Sequence, residues 1–123
     1  MMAKRPLISV VDDDESVRES LPDLLRAFGF DAHAFSSAED FLASEFVNET
    51  NCLILDVAMP GRSGPELYQE MTSRRQEIPV VFITAYRDEN VRPRLLAHGA
   101  VDCLFKPFSE GELLKAIELA LRM

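Results

Sequence analysis

Five short apolar runs, each followed by a stretch with helical spacing, constrain this chain of 123 residues more than any other feature. The runs are Leu7 to Val11, Asp31 to Phe35, Cys52 to Asp56, Pro79 to Thr84 and Val101 to Phe105. Most are too short for buried helices, and turn signals bound them, as Met59-Pro60-Gly61 does after Asp56. The apolar runs among them read as strands covered on both faces, the signature of a parallel sheet, while Asp31 to Phe35 is a less apolar strand. Strand and helix alternating at this spacing imply right-handed crossovers that place helices on both sides. The expected fold is a doubly wound α/β domain with a five-stranded parallel sheet.

The helices announce themselves at their ends. Val17, Leu21, Leu24, Leu25 and Phe28 recur at helical spacing, predicting a helix over 15–28, with Asp14 as its cap and Gly29 as its stop. Pro22 removes one backbone bond and should bend that helix near Arg18. Ser36-Ser37-Ala38-Glu39 offers a capping box for a short helix with Phe41, Leu42 and Phe46 inward. Ser63-Gly64-Pro65-Glu66 starts a third helix, whose core contacts are Leu67, Tyr68 and Met71. Within 88–98, Val91, Leu95 and Leu96 share a face, but Pro93 should delay the helix start, and Gly99 ends it. Ser109 to Glu112 form a second capping box, ahead of Leu113, Leu114, Ile117 and Leu121.

Composition removes several function classes. Thirteen Lys and Arg against 21 Asp and Glu give a net charge of -8, the wrong sign for direct nucleic-acid binding. An acidic surplus suits recruitment of a divalent cation instead. Cys52 and Cys103 fall in predicted buried strands and suggest no disulfide framework, so a reduced cytoplasmic location is expected. Lys4-Arg5 precedes too short an apolar run for a signal peptide, and no run reaches membrane-spanning length. Asn48-Glu49-Thr50 reads as a polar loop. With no linker or low-complexity segment, residues 1–123 form one expected domain.

In a sheet of this kind, functional groups gather where the strands end at their carboxyl termini. Those ends carry Asp12, Asp13 and Asp14 after the first run, Asp56 after the third, Thr84 after the fourth and Lys106 after the fifth. Taken singly, each is more often a loop or surface residue than a ligand; their joint placement on one rim reverses that expectation. Two carboxylates about 4 Å apart repel by roughly 4 kcal/mol at an effective dielectric near 20. Such a site holds a proton or binds a cation, and oxygen-only donors favour Mg²⁺ over zinc. Asp14 reads as a helix cap rather than a ligand.

Four segments carry a family resemblance: Val11-Asp12-Asp13-Asp14, Leu55 to Gly61, Ile83-Thr84-Ala85 and Lys106-Pro107-Phe108. In their order and spacing the chain resembles the receiver domains of two-component response regulators. Residues 36–42 and 99–102 look most like the FixJ/NarL-type transcriptional subgroup. The resemblance implies a flavodoxin-like (βα)5 fold with strand order 2-1-3-4-5. It implies Asp56 as the phosphoacceptor, taking a phosphoryl group from the histidine of a sensor histidine kinase. It further implies Mg²⁺, with Mn²⁺ able to substitute, held by Asp13, Asp56 and the Ala58 backbone carbonyl, with Asp12 assisting through water. Lys106 would pair with the phosphate, Thr84 would donate a hydrogen bond to it, and the Lys106–Pro107 bond would be cis. Phosphorylation would shift the domain toward a state that homodimerises through the 88–122 region or controls a C-terminal DNA-binding output domain. On this reading the chain is a signalling switch that catalyses its own aspartyl phosphorylation and dephosphorylation.

The chain departs from the family pattern at one position. Where the family usually carries an aromatic residue, three before the Lys, this chain has Cys103, which reads as a core filler. Phe105 is the nearby aromatic on the same strand face. Two residues after Asp56 and after Thr84 stand Ala58 and Tyr86; the first cannot orient a water and the second could shield the phosphoryl group, which predicts slow dephosphorylation. His33 and His98 match neither a relay histidine nor a metal pair, and Arg87, Arg92 and Arg94 read as a solvated or partner-facing charge. Two other readings compete: an unphosphorylated receiver-like interaction module, and a haloacid-dehalogenase-type phosphohydrolase, which wants an acid where Ala58 stands.

Overall fold

The computed structural model describes residues 5–122; Lys4 of the early basic pair and Met123 lie outside them. Five strands, β1 (Leu7–Val11), β2 (Asp31–Phe35), β3 (Cys52–Asp56), β4 (Val80–Thr84) and β5 (Asp102–Phe105), alternate with five helices. These are α1 (Glu15–Ala27), α2 (Ala38–Leu42), α3 (Gly64–Ser73), α4 (Val91–Ala97) and α5 (Glu110–Leu121). All pairings are parallel, and the strand order is β2-β1-β3-β4-β5. Among the described residues no helix is long and apolar enough to cross a membrane.

The central strands β1, β3 and β4 are buried along their whole length, which is why their sequences are continuous apolar runs rather than alternating ones. Side chains alternate between two separate hydrophobic layers. Ile8, Val10, Cys52, Ile54, Val81 and Ile83 pack with α1 and α5 through Leu25, Leu113 and Ile117. Val11, Leu53, Leu55, Phe82 and Cys103 pack on the opposite side with Phe41, Leu67, Met71 and Leu95. The two cysteines are free and lie one in each layer, so no disulfide can join them.

The helix starts follow their capping chemistry. Asp14 accepts from the Ser16 amide at the head of α1, and capping boxes close at Ser63/Glu66 and Ser109/Glu112. Helix α1 runs unbroken through Pro22. Helix α4 starts at Val91, which puts Pro93 in the first turn, where its missing N–H has no intrahelical partner to lose. His98 closes α4, and Gly99 follows with φ 108°.

One expectation is corrected. Phe46 is not on the inner face of α2, because that helix ends at Leu42 and a 3₁₀ turn, Val47–Glu49, follows. Val47 takes the core position, while the half-buried Phe46 ring stacks on His33 at a centroid distance of 3.9 Å. The five-residue helix is too short to carry its apolar period that far.

Candidate functional site

Strand register brings the sequence-predicted rim together. Val11 pairs with Leu55, so Asp12 follows one strand as Asp56 ends its neighbour. Asp56 pairs with Ile83, and Thr84 pairs with Phe105, so Thr84 and Lys106 each stand one residue beyond those pairs. Backbone bonds continue the ladder past the strand ends: Val57 N donates to Ile83 O at 3.0 Å, and Lys106 N to Thr84 O at 2.8 Å. The Lys106–Pro107 bond is cis.

The charges on this rim are tightly coupled. Carboxylate oxygens of Asp12, Asp13 and Asp56 lie within 4.8 Å of one another. Asp12 is fully buried, Asp56 is 6% exposed, and Asp13 opens to solvent. Lys106 Nζ donates to Asp12 Oδ2 at 2.8 Å and lies 3.8 Å from Asp56 Oδ1. The other Asp12 oxygen accepts from the Asp14 amide at 2.9 Å. Burial and the adjacent Asp12 carboxylate push the Asp56 carboxyl up to about 7, against the pull of Lys106. Asp56 therefore shares its nearest ammonium with Asp12, which Lys106 approaches more closely. An all-oxygen donor set, open on the Asp13 side, suits a hard divalent cation that keeps some of its water.

The remaining residues of interest divide plainly. Thr84 is buried, and its Oγ1 accepts from the Tyr86 amide at 3.0 Å. Ala58 lies exposed in the loop two residues past Asp56. The Tyr86 side chain, two residues beyond Thr84, is 74% exposed. Asp14 is occupied as the α1 cap, and its bonds to Ser16 hold its carboxyl below the usual range. Cys103 is 2% exposed inside its hydrophobic layer. Phe105, half-buried, lies under the Arg87 guanidinium at 5.8 Å, and Arg92 pairs with Asp102 at 2.9 Å.

Two neighbours of the cluster carry no chemical signal in the sequence. Arg18 Nη1 donates to the Asp12 main-chain carbonyl at 3.1 Å, which ties α1 to the acidic turn. Gly64, at the start of α3, sits against the main chain of Asp56, and a Cβ there would collide with the Asp56 carbonyl oxygen. A glycine inside a helix where no unusual φ is needed is the only hint that the sequence holds, and it does not name the neighbour.

A family model described as response regulator receiver domain matches residues 8–118. Nodulation protein W of Bradyrhizobium diazoefficiens is 41% identical over 116 residues, covering 94% of this chain and 51% of that protein. Transcriptional regulatory protein TdiR of Thauera aromatica is 38% identical over 116 residues, with the same two coverages, 94% and 51%. The chain thus spans about half the length of these curated relatives. Among solved structures, the crystal structure of FixJ-N superposes with a TM-score of 0.86 at 34% identity, over 98% of this chain and 96% of that one.

Proposed function

The chain belongs to the response regulator receiver family, and from that premise we propose that Asp56 is its phosphoacceptor. The observation that carries this is the cluster itself: three carboxylates within 4.8 Å, with one ammonium shared between the buried Asp12 and Asp56. An Asp56 oxygen attacks the phosphorus of a sensor kinase's phosphohistidine. The new O–P bond forms as the N–P bond breaks, and the imidazole keeps the electron pair. The attacking group must be ionised. Lys106 favours that state, whereas burial and Asp12 oppose it.

Asp13, Asp56 and the Ala58 main-chain carbonyl would hold Mg²⁺ or Mn²⁺, with Asp12 contributing through water. When bound, the ion neutralises charge on the transferring phosphoryl oxygens. Lys106, 3.8 Å from Asp56, would pair with the phosphoryl group. Thr84 can donate its hydroxyl proton to a phosphoryl oxygen while still accepting from Tyr86. Residues 1–123 act as one receiver domain. The surface around α4, β5 and α5, with Phe105 under Arg87 and Leu119 exposed, serves a phosphorylation-dependent homodimer. Transcriptional regulatory protein TdiR, about twice this chain's length, supports control of an output that acts on transcription; a C-terminal DNA-binding output domain and a cytoplasmic location complete the proposal.

Acetyl phosphate with Mg²⁺ tests this reading. Intact mass should show one added phosphoryl group on the wild-type chain and none on Asp56→Asn. Rapid turnover of the donor without a stable adduct would indicate a phosphohydrolase. An unmodified chain with unspent donor would indicate an interaction module.

A further inference from the structure

Three glycines adopt left-handed backbone, Gly29, Gly61 and Gly99, and Gly64 is not among them. Its own conformation is open to any residue, so what it supplies is space. A side chain there would press on the Asp56 carbonyl oxygen and meet the edge of the Phe82 ring at 3.2 Å. The Gly64 amide also donates to Val57 O at 3.0 Å. The first turn of α3 therefore lies directly on the Asp56–Val57 peptide. β4 holds the same stretch from the side, by the Asp56–Ile83 pairing and the bond from Val57 N to Ile83 O. The main chain beneath the carboxylate is clamped from two directions.

We infer that Gly64 is a positioning residue for the phosphoacceptor: its missing Cβ lets α3 seat against the Asp56 peptide and so fixes where that carboxylate stands relative to Asp12, Asp13 and Lys106. The inference rests on Asp56 being the phosphoacceptor. Any Cβ at residue 64 forces the peptide or the helix to retreat by about an ångström, and misplacement on that scale costs a reaction about 10²-fold. Ser63 holds the same turn from the other side through its capping box, with bonds of 3.0 and 3.3 Å to Glu66.

The test compares the rate of phosphoryl uptake from acetyl phosphate, and the Mg²⁺ concentration at half-maximal rate, in protein shown folded by circular dichroism. Gly64→Ala should slow uptake at least 10-fold and raise the Mg²⁺ midpoint. Ser63→Ala, which loosens the turn without a clash, should slow it by roughly 2–5-fold. Ile117→Ala weakens the core on the other side of the sheet and should stay within 2-fold of wild type. A folded Gly64→Ala protein reacting at the wild-type rate overturns the inference, as does Ile117→Ala slowing uptake as much. If Gly64→Ala does not fold, Ser63→Ala decides, and a wild-type rate there overturns it. A wild-type chain that takes no phosphoryl group removes the phosphoacceptor reading and this inference with it.

Discussion

Lys106→Ala should lower the melting temperature of the metal-free protein by roughly 8–15 °C at pH 7.5 and low salt. Lys106 is the only cation within salt-bridge distance of Asp12 or Asp56 among the described residues. Asp12 is fully buried, and without the ammonium its Oδ2 loses a 2.8 Å charge-assisted bond while a second carboxylate stands beside it. Removing one partner of a buried pair costs about 3–5 kcal/mol because the other charge is stranded. Water can reach part of the vacated space, since the Lys106 side chain is 20% exposed, so about 2–4 kcal/mol is the fair expectation. For a domain of this size each kcal/mol moves the midpoint by about 4 °C. Millimolar Mg²⁺ should restore much of the loss by supplying the missing positive charge. A shift under 2 °C in EDTA would mean that the cluster is not held together by this ammonium.

Asp56→Asn should act in the opposite direction. The Asp56 carboxyl titrates near 7 in the folded chain against 3.8 for the ordinary group. Between those values the folded state binds more protons than the unfolded one, so this group's contribution to stability falls as pH rises through the window. Asn carries no such penalty. The variant should therefore melt higher than wild type at pH 8 in EDTA, on the order of 5–10 °C, with the gap closing toward pH 4.5. Mg²⁺ should stabilise wild type far more than the variant, shrinking the gap at pH 8. In the double variant with Lys106→Ala, Asp56→Asn should recover part of the loss, since one carboxylate then remains where two repelled. Calorimetry across pH 4.5–8 checks the sign; a variant that melts lower than wild type at pH 8 would contradict it.

How much of this could be read in the sequence depends on the range of the interaction. The strands were legible because β1, β3 and β4 are covered on both faces and must be apolar throughout. Asp12, Asp13, Asp56, Thr84 and Lys106 were legible as a group because parallel strands deliver their carboxyl ends to one rim. Phe46 was misplaced because nothing local marks where a short helix gives way to a 3₁₀ turn. Arg18 and Gly64 escaped because their roles depend on who lies next to them, a carbonyl of β1's turn for one and of β3's last residue for the other.

The placement of Cys52 and Cys103, one in each hydrophobic layer, gives the protein two built-in clocks. Burial pushes the first thiol up to about 12 and the second to about 11, so neither forms the reactive thiolate while its layer is closed. Alkylation at Cys52 then times openings on the α1/α5 side, and at Cys103 those on the α2–α4 side. Because the sheet stands between them, the two rates read the layers separately. A signal arriving at Asp56 can be followed into whichever side it loosens, with no label added to the chain.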